Sequence, residues 1–440
     1  MKSRPIAALA LLFLLVAWSP QATAQARYHV DAAAPAGGDG LSWGTALPSI
    51  DDALALAVLG DKIWVKAGTY TPAVEVNPGD PRSATFFLGP GITLRGGFDG
   101  TETQLSERAG LFDQTILTGE IGVPGDPTDN TYRVVTALHP SGIPPGVVRI
   151  DGFTIRDGYG VGGMEKGGGV AMFNVGLWLT RCTIRDNTAR WGGGLHAQPA
   201  AANLRWCKFI DNHALERGGG IWGQSINYRV SHCEFRGNSA GRGGAVYVNS
   251  IGDSGSTLPR VIVHNSILVD NSAERGGAVY IGGGEVSSGK VTLSSCTVAF
   301  NRATLRGGGI HALTGTQVPA ESTLINSIVW ANRAPQDPNL RGRHEAHSSN
   351  IQDGTFHGTM NLSLDPGFVS PLERDLRLRP GSPCNDVGSN VLLPYDFLDA
   401  DEDGNSQEDS PIDLDGKRRI KDDPDAAPFG ELLDMGAYER

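Results

Sequence analysis

The sequence predicts an all-β protein: a right-handed parallel β-helix (solenoid) with a short N-terminal capping helix and a loop-rich acidic C-terminal segment. Glycine supplies 60 and proline 26 of the 440 residues, and glycine is about twice as frequent as its usual ~7%. Hydrophobic residues reach 40%, which is enough apolar material for a long core. At this length a single core normally divides, unless the fold grows by adding coils.

A repeat of 25 to 33 residues is the second observation that favours a solenoid. The pattern apolar-x-x-Cys/Ser-x-apolar-x-x-Asn-x-Ala recurs between Val147 and Ala334. Two or three strands of about 4 to 6 residues fit one repeat, and coils of parallel strands stack at about 4.8 Å. We therefore expect the repeated asparagines to form a ladder at a turn, where each amide bonds the next. They are Asn187, Asn212, Asn238, Asn271, Asn301 and Asn332.

Glycines and cysteines occupy fixed places in the repeat. A Gly-Gly-Gly/Ala-aliphatic signature ends at Val170, Leu195, Ile221, Val246, Val279 and Ile310, and its glycines allow positive φ or close backbone approach. Four of the five cysteines, Cys182, Cys207, Cys233 and Cys296, take the same inward position, so we expect buried thiols. A disulfide between Cys182 and Cys207, or between Cys207 and Cys233, remains an open alternative.

The N-terminal residues predict export. Lys2 and Arg4 precede a 13-residue apolar run, and a small-residue cleavage site ends at Ala24. We therefore expect a signal peptide over 1–24 and a secreted protein, located outside the cell, in a periplasm or at a cell surface. The remaining chain divides into a cap and first coils (25–145), regular repeats (146–345), and C-terminal coils with the acidic segment (346–440). The cap should contain a helix over 48–58, and the mature chain should have no transmembrane segment.

Charge is concentrated near the C-terminus. Residues 396–425 hold 12 acidic and 4 basic side chains, so −8 of the total charge lies in 30 residues. An acidic exported chain without a dominant basic patch is not typical of nucleic-acid-binding proteins. Asp399, Asp401, Asp403 and Asn405 surround Gly404 as in the first half of an EF-hand loop, which indicates calcium as a possible cofactor. Position 12 is Ser410, so a nearby aspartate would have to supply the last ligand; a solvated acidic loop is the alternative.

Several motifs resemble those of known secreted β-helix proteins. The N-terminal stretch from Tyr28-His-Val-Asp31 to Ala67-Gly-Thr-Tyr70 and the terminal Asp434-Met-Gly-Ala-Tyr-Glu439 look like the choice-of-anchor Q type. The Asn and Gly-Gly-Ala/Gly-Ile repeats resemble those of polymorphic outer-membrane proteins. The resemblance implies a pectate-lyase-like β-helix, whose wider relatives include polysaccharide lyases, epimerases, hydrolases and adhesins.

Two columns of side chains are the candidate binding surface. Strand alternation places the residues after each aliphatic on the outside. They are Ala171, His196, Trp222, Tyr247, Tyr280 and His311. Four residues before each aliphatic stands a second column: Lys166, Trp191, Arg217, Arg242, Arg275 and Arg306. Rings that stack on sugars and guanidinium groups that hold carboxylates or sulfates suit an acidic extracellular or cell-surface polysaccharide. Alternatively, the rings stack on one another and acidic neighbours such as Glu216 and Glu274 neutralise the arginines.

Three functions remain open from the sequence. The first is binding of such a glycan through both columns. The second is a polysaccharide lyase or epimerase acting on uronate-containing glycans, with His196 or Tyr247 as the base beside Arg217. The third is a structural or adhesive surface protein. The sequence leaves the oligomeric state open.

Overall fold

The computed structural model describes residues 25–139, 146–198, 201–224, 227–249, 260–282, 289–314, 319–354, 357–396, 398–420 and 432–440. The predicted signal peptide lies outside these residues. The described chain is an all-β solenoid of four parallel sheets, and each regular coil passes through them in the order sheet 1, sheet 2, sheet 3, sheet 4. The predicted fold class is confirmed. No helix among the described residues is long and apolar enough to cross a membrane.

Sheets 1 and 2 form two adjoining walls of the solenoid. The strands of sheet 1 are Arg27–Val30, Lys62–Lys66, Thr93–Phe98, Val147–Asp151, Gly176–Thr180, Ala202–Arg205, Tyr228–Ser231, Arg260–His264, Lys290–Ser294, Glu321–Ile325, Arg343–His347 and His357–Thr359. The strands of sheet 2 are Gly68–Tyr70, Thr115–Thr118, Thr154–Arg156, Thr183–Arg185, Lys208–Ile210, Glu234–Arg236, Ile267–Val269, Thr297–Ala299, Ile328–Trp330 and Asn350–Ile351.

Sheets 3 and 4 complete the coil. The strands of sheet 3 are Tyr159–Gly160, Thr188–Trp191, His213–Arg217, Ser239–Arg242, Ser272–Arg275 and Arg302–Arg306. The strands of sheet 4 are Phe86–Leu88, Val135–Leu138, Val170–Phe173, Leu195–Gln198, Ile221–Gln224, Val246–Asn249, Val279–Ile281, Ile310–Ala312 and Leu340–Arg341. A short antiparallel pair, Phe368–Ser370 with Asp375–Leu378, follows the last coil.

The asparagine ladder lies at the turn between sheets 2 and 3, as predicted. The side-chain amide of Asn212 donates to Oδ1 of Asn238 at 3.0 Å and to the carbonyl of Ile184 at 2.9 Å. The same arrangement runs from Asn187 to Asn332, and these residues are buried. Because each amide satisfies backbone groups of the neighbouring coils, the ladder fixes the register between coils.

The glycines turn the chain from sheet 3 to sheet 4. Gly192 has φ 67° and Gly218 has φ 66°, which is left-handed backbone that favours glycine. A Cβ at Gly193 would lie 2.4 Å from the carbonyl oxygen of His213, so this position cannot carry a side chain without movement. Both predicted roles of the glycines are confirmed.

The core runs through the inside of the coils, and a helix covers its N-terminal end. The helix spans Ile50–Leu56; its N-cap Ser49 accepts a hydrogen bond from the backbone N–H of Asp52 at 3.1 Å. Inward residues such as Phe209 and Phe235 stack on successive coils, with ring centroids 5.0 Å apart. All five cysteines are buried free thiols, so neither possible disulfide is present.

The C-terminal residues fold back along the solenoid as a strap. We call residues 384–396, 398–420 and 432–440 the C-terminal strap. The backbone carbonyl of its Ser389 accepts a hydrogen bond from the side chain of Asn326. The carbonyl of its Ala400 accepts one from the indole N–H of Trp206, which lies several coils closer to the N-terminus than Asn326. Ile412 then accepts from Asn265 as the chain returns, and Gly436 donates to Asn326 again. The described residues of the strap therefore cover the turn between sheets 1 and 2, and none of these hydrogen bonds reaches sheet 3.

Candidate functional site: an unneutralised arginine row

The predicted arginine column exists and lies at the end of the sheet 3 strands. Register pairs Trp191 with Arg217, Arg217 with Arg242, Arg242 with Arg275, and Arg275 with Arg306. Lys166 pairs with Trp191 through an isolated bridge. Parallel strands lie about 4.8 Å apart, so the backbone repeats the cation at that interval. We call Arg217, Arg242, Arg275 and Arg306 the arginine row.

Among the described residues, the arginine row lacks direct ion-pair partners. None of its four members forms an ion pair within 4.0 Å with a carboxylate of the described residues. The alternative of neutralisation by Glu216 holds only in part: its carboxylate binds Arg190 at 2.7 Å and the indole N–H of Trp191 at 2.9 Å, and it attracts Arg217 without forming an ion pair within 4.0 Å. Like charges directly opposite one another destabilise a sheet, so the row carries a cost that a bound anion would relieve.

The aromatic column also exists but is not exposed. His196 pairs in register with Trp222, Trp222 with Tyr247, Tyr247 with Tyr280, and Tyr280 with His311. The expectation of an open ring surface is wrong, since these five side chains are at most 5% exposed.

Packing explains this burial. The His196 and Trp222 rings stack 4.4 Å apart, and those of Tyr247 and Tyr280 stack 5.3 Å apart. The glycine turn brings the arginine row over the rings: Arg217 lies 5.4 Å from the ring centre of Tyr247. Arg242 lies 5.8 Å from that of Tyr280. The Tyr247 and Tyr280 rings therefore lie under the guanidinium groups of Arg217 and Arg242, and cation–π contact orients these two groups.

The burial of His196 argues against its predicted role as a catalytic base. His196 has no exposed surface, and neither ring nitrogen has a hydrogen-bond partner. Burial, with a smaller contribution from Lys166 and Arg133, lowers the pKa of His196 to about 3. Burial also raises the pKa of Tyr247, which disfavours the phenolate that would act as a base. Of the predicted catalytic set, only Arg217 stands at the surface, where it can contact a polymer.

The acidic loop forms a cluster of carboxylates against the solenoid. Oxygens of Asp399, Asp401 and Asp403 lie within 4.8 Å of one another. The fourth predicted ligand, Asn405, uses Oδ1 to accept from the N–H of Gln407 at 3.2 Å. Glu402 turns outward from the cluster and binds Arg205 at 2.8 Å and Arg181. These two ion pairs fix the loop on the turn between sheets 1 and 2.

Two members of this cluster were missed from the sequence. Oxygens of Asp396, Asp401 and Glu408 also lie within 4.8 Å of one another. Asp396 is nearly fully buried, and Oε1 of Glu408 is buried without a hydrogen-bond partner. Burial, followed by repulsion from Asp401 and Asp399, raises the pKa of Asp396. The position-12 residue Ser410 is turned away and accepts a hydrogen bond from Asn265.

An exposed tryptophan on sheet 1 was also missed. Trp178 is 41% exposed, and Arg149 lies 4.9 Å from its ring centre. The alternation Leu177-Trp178-Leu179 contains the signal, because buried leucines on both sides place Trp178 on the outer face. A cavity of about 570 Å³ lies further along, at the end of sheet 1, and is lined by polar residues such as Ser322 and His344.

Comparison with known proteins identifies the fold. No protein-family model matches the sequence, and no curated protein matches it. Among solved structures, pectate lyase Pel9A is similar over 95% of this chain and 97% of its own, with TM-score 0.53 and 13% identity. A rhamnogalacturonan lyase covers 79% of this chain and 91% of its own, with TM-score 0.29 and 10% identity. The chain therefore has a pectate-lyase-like parallel β-helix fold.

Proposed function

We propose that this protein is a secreted β-helix protein that binds an acidic extracellular or cell-surface polysaccharide along the arginine row. The observation that carries the proposal is the in-register placement of four arginines that form no ion pair with a carboxylate in the part of the chain that the structure describes. A linear polymer with regularly repeated carboxylates or sulfates is the ligand that such a row fits, because each guanidinium can hold one anionic group through two N–H donors. The solved pectate lyase of the same fold is named for an acidic polysaccharide substrate, which agrees with this ligand class.

A binding titration with polygalacturonate, with dextran as the neutral polymer, tests the proposal. We expect binding of polygalacturonate only, and an affinity that falls as salt rises. Replacing the whole row (Arg217→Gln, Arg242→Gln, Arg275→Gln and Arg306→Gln) should weaken binding by at least about fourfold and at most about a thousandfold, as expected from four surface charge contacts of about 0.2–1 kcal/mol each.

The control variant removes the same charge from sheets 1 and 2, with Lys62→Gln, Arg149→Gln, Lys208→Gln and Arg343→Gln. It should keep the affinity of the wild type. An equal loss in both variants would mean that net charge alone attracts the polymer, and the proposal would fail. Release of unsaturated oligosaccharides by the wild type would indicate a lyase instead, whereas no binding at all would leave a structural or adhesive role.

We also propose that the acidic cluster holds calcium, which would order the strap without taking part in chemistry. Carboxylates are the hard oxygen ligands that calcium prefers, and Asp396 and Glu408 place two further carboxylates within 4.8 Å of Asp401. Calorimetric titration with calcium should release or absorb heat, and calcium should raise the melting temperature. Asp401→Asn with Asp403→Asn should remove both effects, whereas the exposed control Asp113→Asn should keep them. An unchanged melting temperature and no heat in the wild type would refute the site.

A further inference from the structure

A second cationic feature lies on sheet 3, outside the arginine row. A cavity of about 380 Å³ occupies the outer face at the last coils of this sheet. It is lined by Arg302, Ala303, Thr304, Arg333, Ala334 and Pro335. Two of these six residues are arginines and none is acidic, so the cavity is positively charged.

The asparagine ladder places the two arginines on adjacent coils. The N–H of Arg302 donates to the carbonyl of Asn271, and the N–H of Arg333 donates to that of Asn301, both at 2.8 Å. Arg302 and Arg333 pair in parallel register, so their backbones are about 4.8 Å apart. Both side chains are exposed, and neither has an ion-pair partner within the part of the chain that the structure describes.

At the register position of Arg302 and Arg333, arginine occurs only in the coils that line the cavity. The same register position in the preceding coils holds Thr188, His213, Ser239 and Ser272. The sequence thus changes from hydroxyl and imidazole groups to two successive guanidinium groups at the coils that line the cavity. The backbone hydrogen bonds of Arg302 and Arg333 are those of the other coils, so the coil geometry does not require arginine at these positions.

We propose that this cavity binds a dianionic phosphate group, as a phosphate monoester or as inorganic phosphate. Such a group carries a charge near −2 at neutral pH and three terminal oxygens, so it can satisfy two guanidinium groups at once. A carboxylate has two oxygens and one charge, and a sulfate ester has a single charge, so each leaves one arginine unneutralised. The hydroxyl of Thr304 supplies a further donor at the same cavity. The phosphate can be part of a sugar phosphate or be free in solution.

Calorimetry on the full chain with four probes tests the ligand class. Inorganic phosphate and glucose 6-phosphate should bind at pH 7.5, and glucose 6-sulfate and glucuronate should bind at least tenfold more weakly. Tighter binding of glucose 6-phosphate than of phosphate identifies a sugar phosphate as the ligand, and the reverse order identifies free phosphate. Binding should weaken by at least threefold at pH 5, because the second pKa of a phosphate monoester is about 6. The six lining residues include no histidine, carboxylate or thiol.

Variants locate the site. Arg302→Gln with Arg333→Gln should abolish binding, Arg302→Lys with Arg333→Lys should retain part of it, and Arg149→Gln with Arg343→Gln should leave it unchanged. The four-glutamine variant of the arginine row should still bind phosphate, so loss of polysaccharide binding and loss of this site are separable. Equal binding of the sulfate ester, equal binding at both pH values, or full binding by the Arg302/Arg333 double glutamine variant would each overturn the proposal. An unchanged melting temperature of the variants shows that they remain folded.

Discussion

The arginines on the two sides of the solenoid differ in their ion-pair partners. On the side covered by the C-terminal strap, Arg181 binds Asp151 at 2.9 Å and also Glu402, and Arg108 binds Asp151 at 2.7 Å. On sheet 3, the arginine row forms no ion pair with a carboxylate of the described residues, although its members stand in register on successive coils. Neutralised and partly buried charges on the covered side hold segments of this chain together. The unneutralised charges on the open side are therefore the ones available to a ligand.

The largest effect should come from removing the carboxylate on the covered side. Burial alone would raise the pKa of Asp151, but Arg108 and Arg181 more than offset this and hold it below its ordinary value. Asp151→Ala leaves Arg108, whose side chain is 6% exposed, without its counter-ion. We expect a loss of about 3–5 kcal/mol in the free energy of unfolding, measured by denaturant titration. Arg306→Gln on the open side should change it by less than about 0.5 kcal/mol; similar losses would remove the contrast.

A pH dependence should distinguish the strap from the rest of the molecule. Burial raises the pKa of Asp434 to about 6 and that of Glu439 to about 9, with the fully buried Arg419 beside them. Raised pKa values stabilise the folded state below the folded pKa and lose this effect as pH rises through it. Between pH 7 and 8.5, below the raised pKa of Glu439, we expect a loss of about 1–2 kcal/mol in the free energy of unfolding. Glu439→Gln should flatten this profile, and a profile identical to that of the wild type would contradict the assignment.

Salt should reduce the repulsion within the arginine row. Repulsion within the arginine row costs about 0.5–1 kcal/mol in dilute buffer and is screened at higher ionic strength. The four-glutamine variant should therefore be more stable than the wild type by this amount at about 0.01 M salt, and the difference should shrink at about 0.1 M or above. Thermal unfolding at several salt concentrations measures this. A variant less stable than the wild type would show that the row stabilises the fold.

The smallest effect should follow replacement of the buried imidazole. His196→Phe keeps the stacking on Trp222 and removes two buried nitrogens without partners. We expect stability within about 0.5 kcal/mol of the wild type and unchanged affinity for polygalacturonate. A large loss of affinity with intact stability would contradict this prediction and would mean that His196 takes part in binding.

The features that follow from register were predictable from the sequence. Asn212, Asn238 and Arg242 recur at equivalent positions of successive copies, and parallel coils place equivalent positions in rows. The burial of Trp222 and Tyr247 was not predictable in this way, because strand alternation identifies the face of a strand but not what folds over it. The glycine turn that brings Arg217 across the rings is a three-dimensional feature.

The acidic cluster shows the same limit at longer range. The spacing of Asp399, Asp401 and Asp403 is local, so the sequence pattern identified them. Asp396 and Glu408 meet because the N–H of Asp396 bonds the carbonyl of Glu408 and Tyr395 pairs antiparallel with Asp409. This pairing lies outside the repeat, so the periodicity of the sequence does not predict it.

The strap has a consequence for how the molecule comes apart. In a repeat protein each coil contacts only its neighbours, so terminal coils can fray independently of the middle. Here the ion pair between Arg205 and Glu402 joins residues 197 positions apart in sequence. The last coils therefore cannot unfold one at a time before the strap has dissociated from the central coils. The C-terminal half should then unfold as one cooperative block, as a small globular domain does.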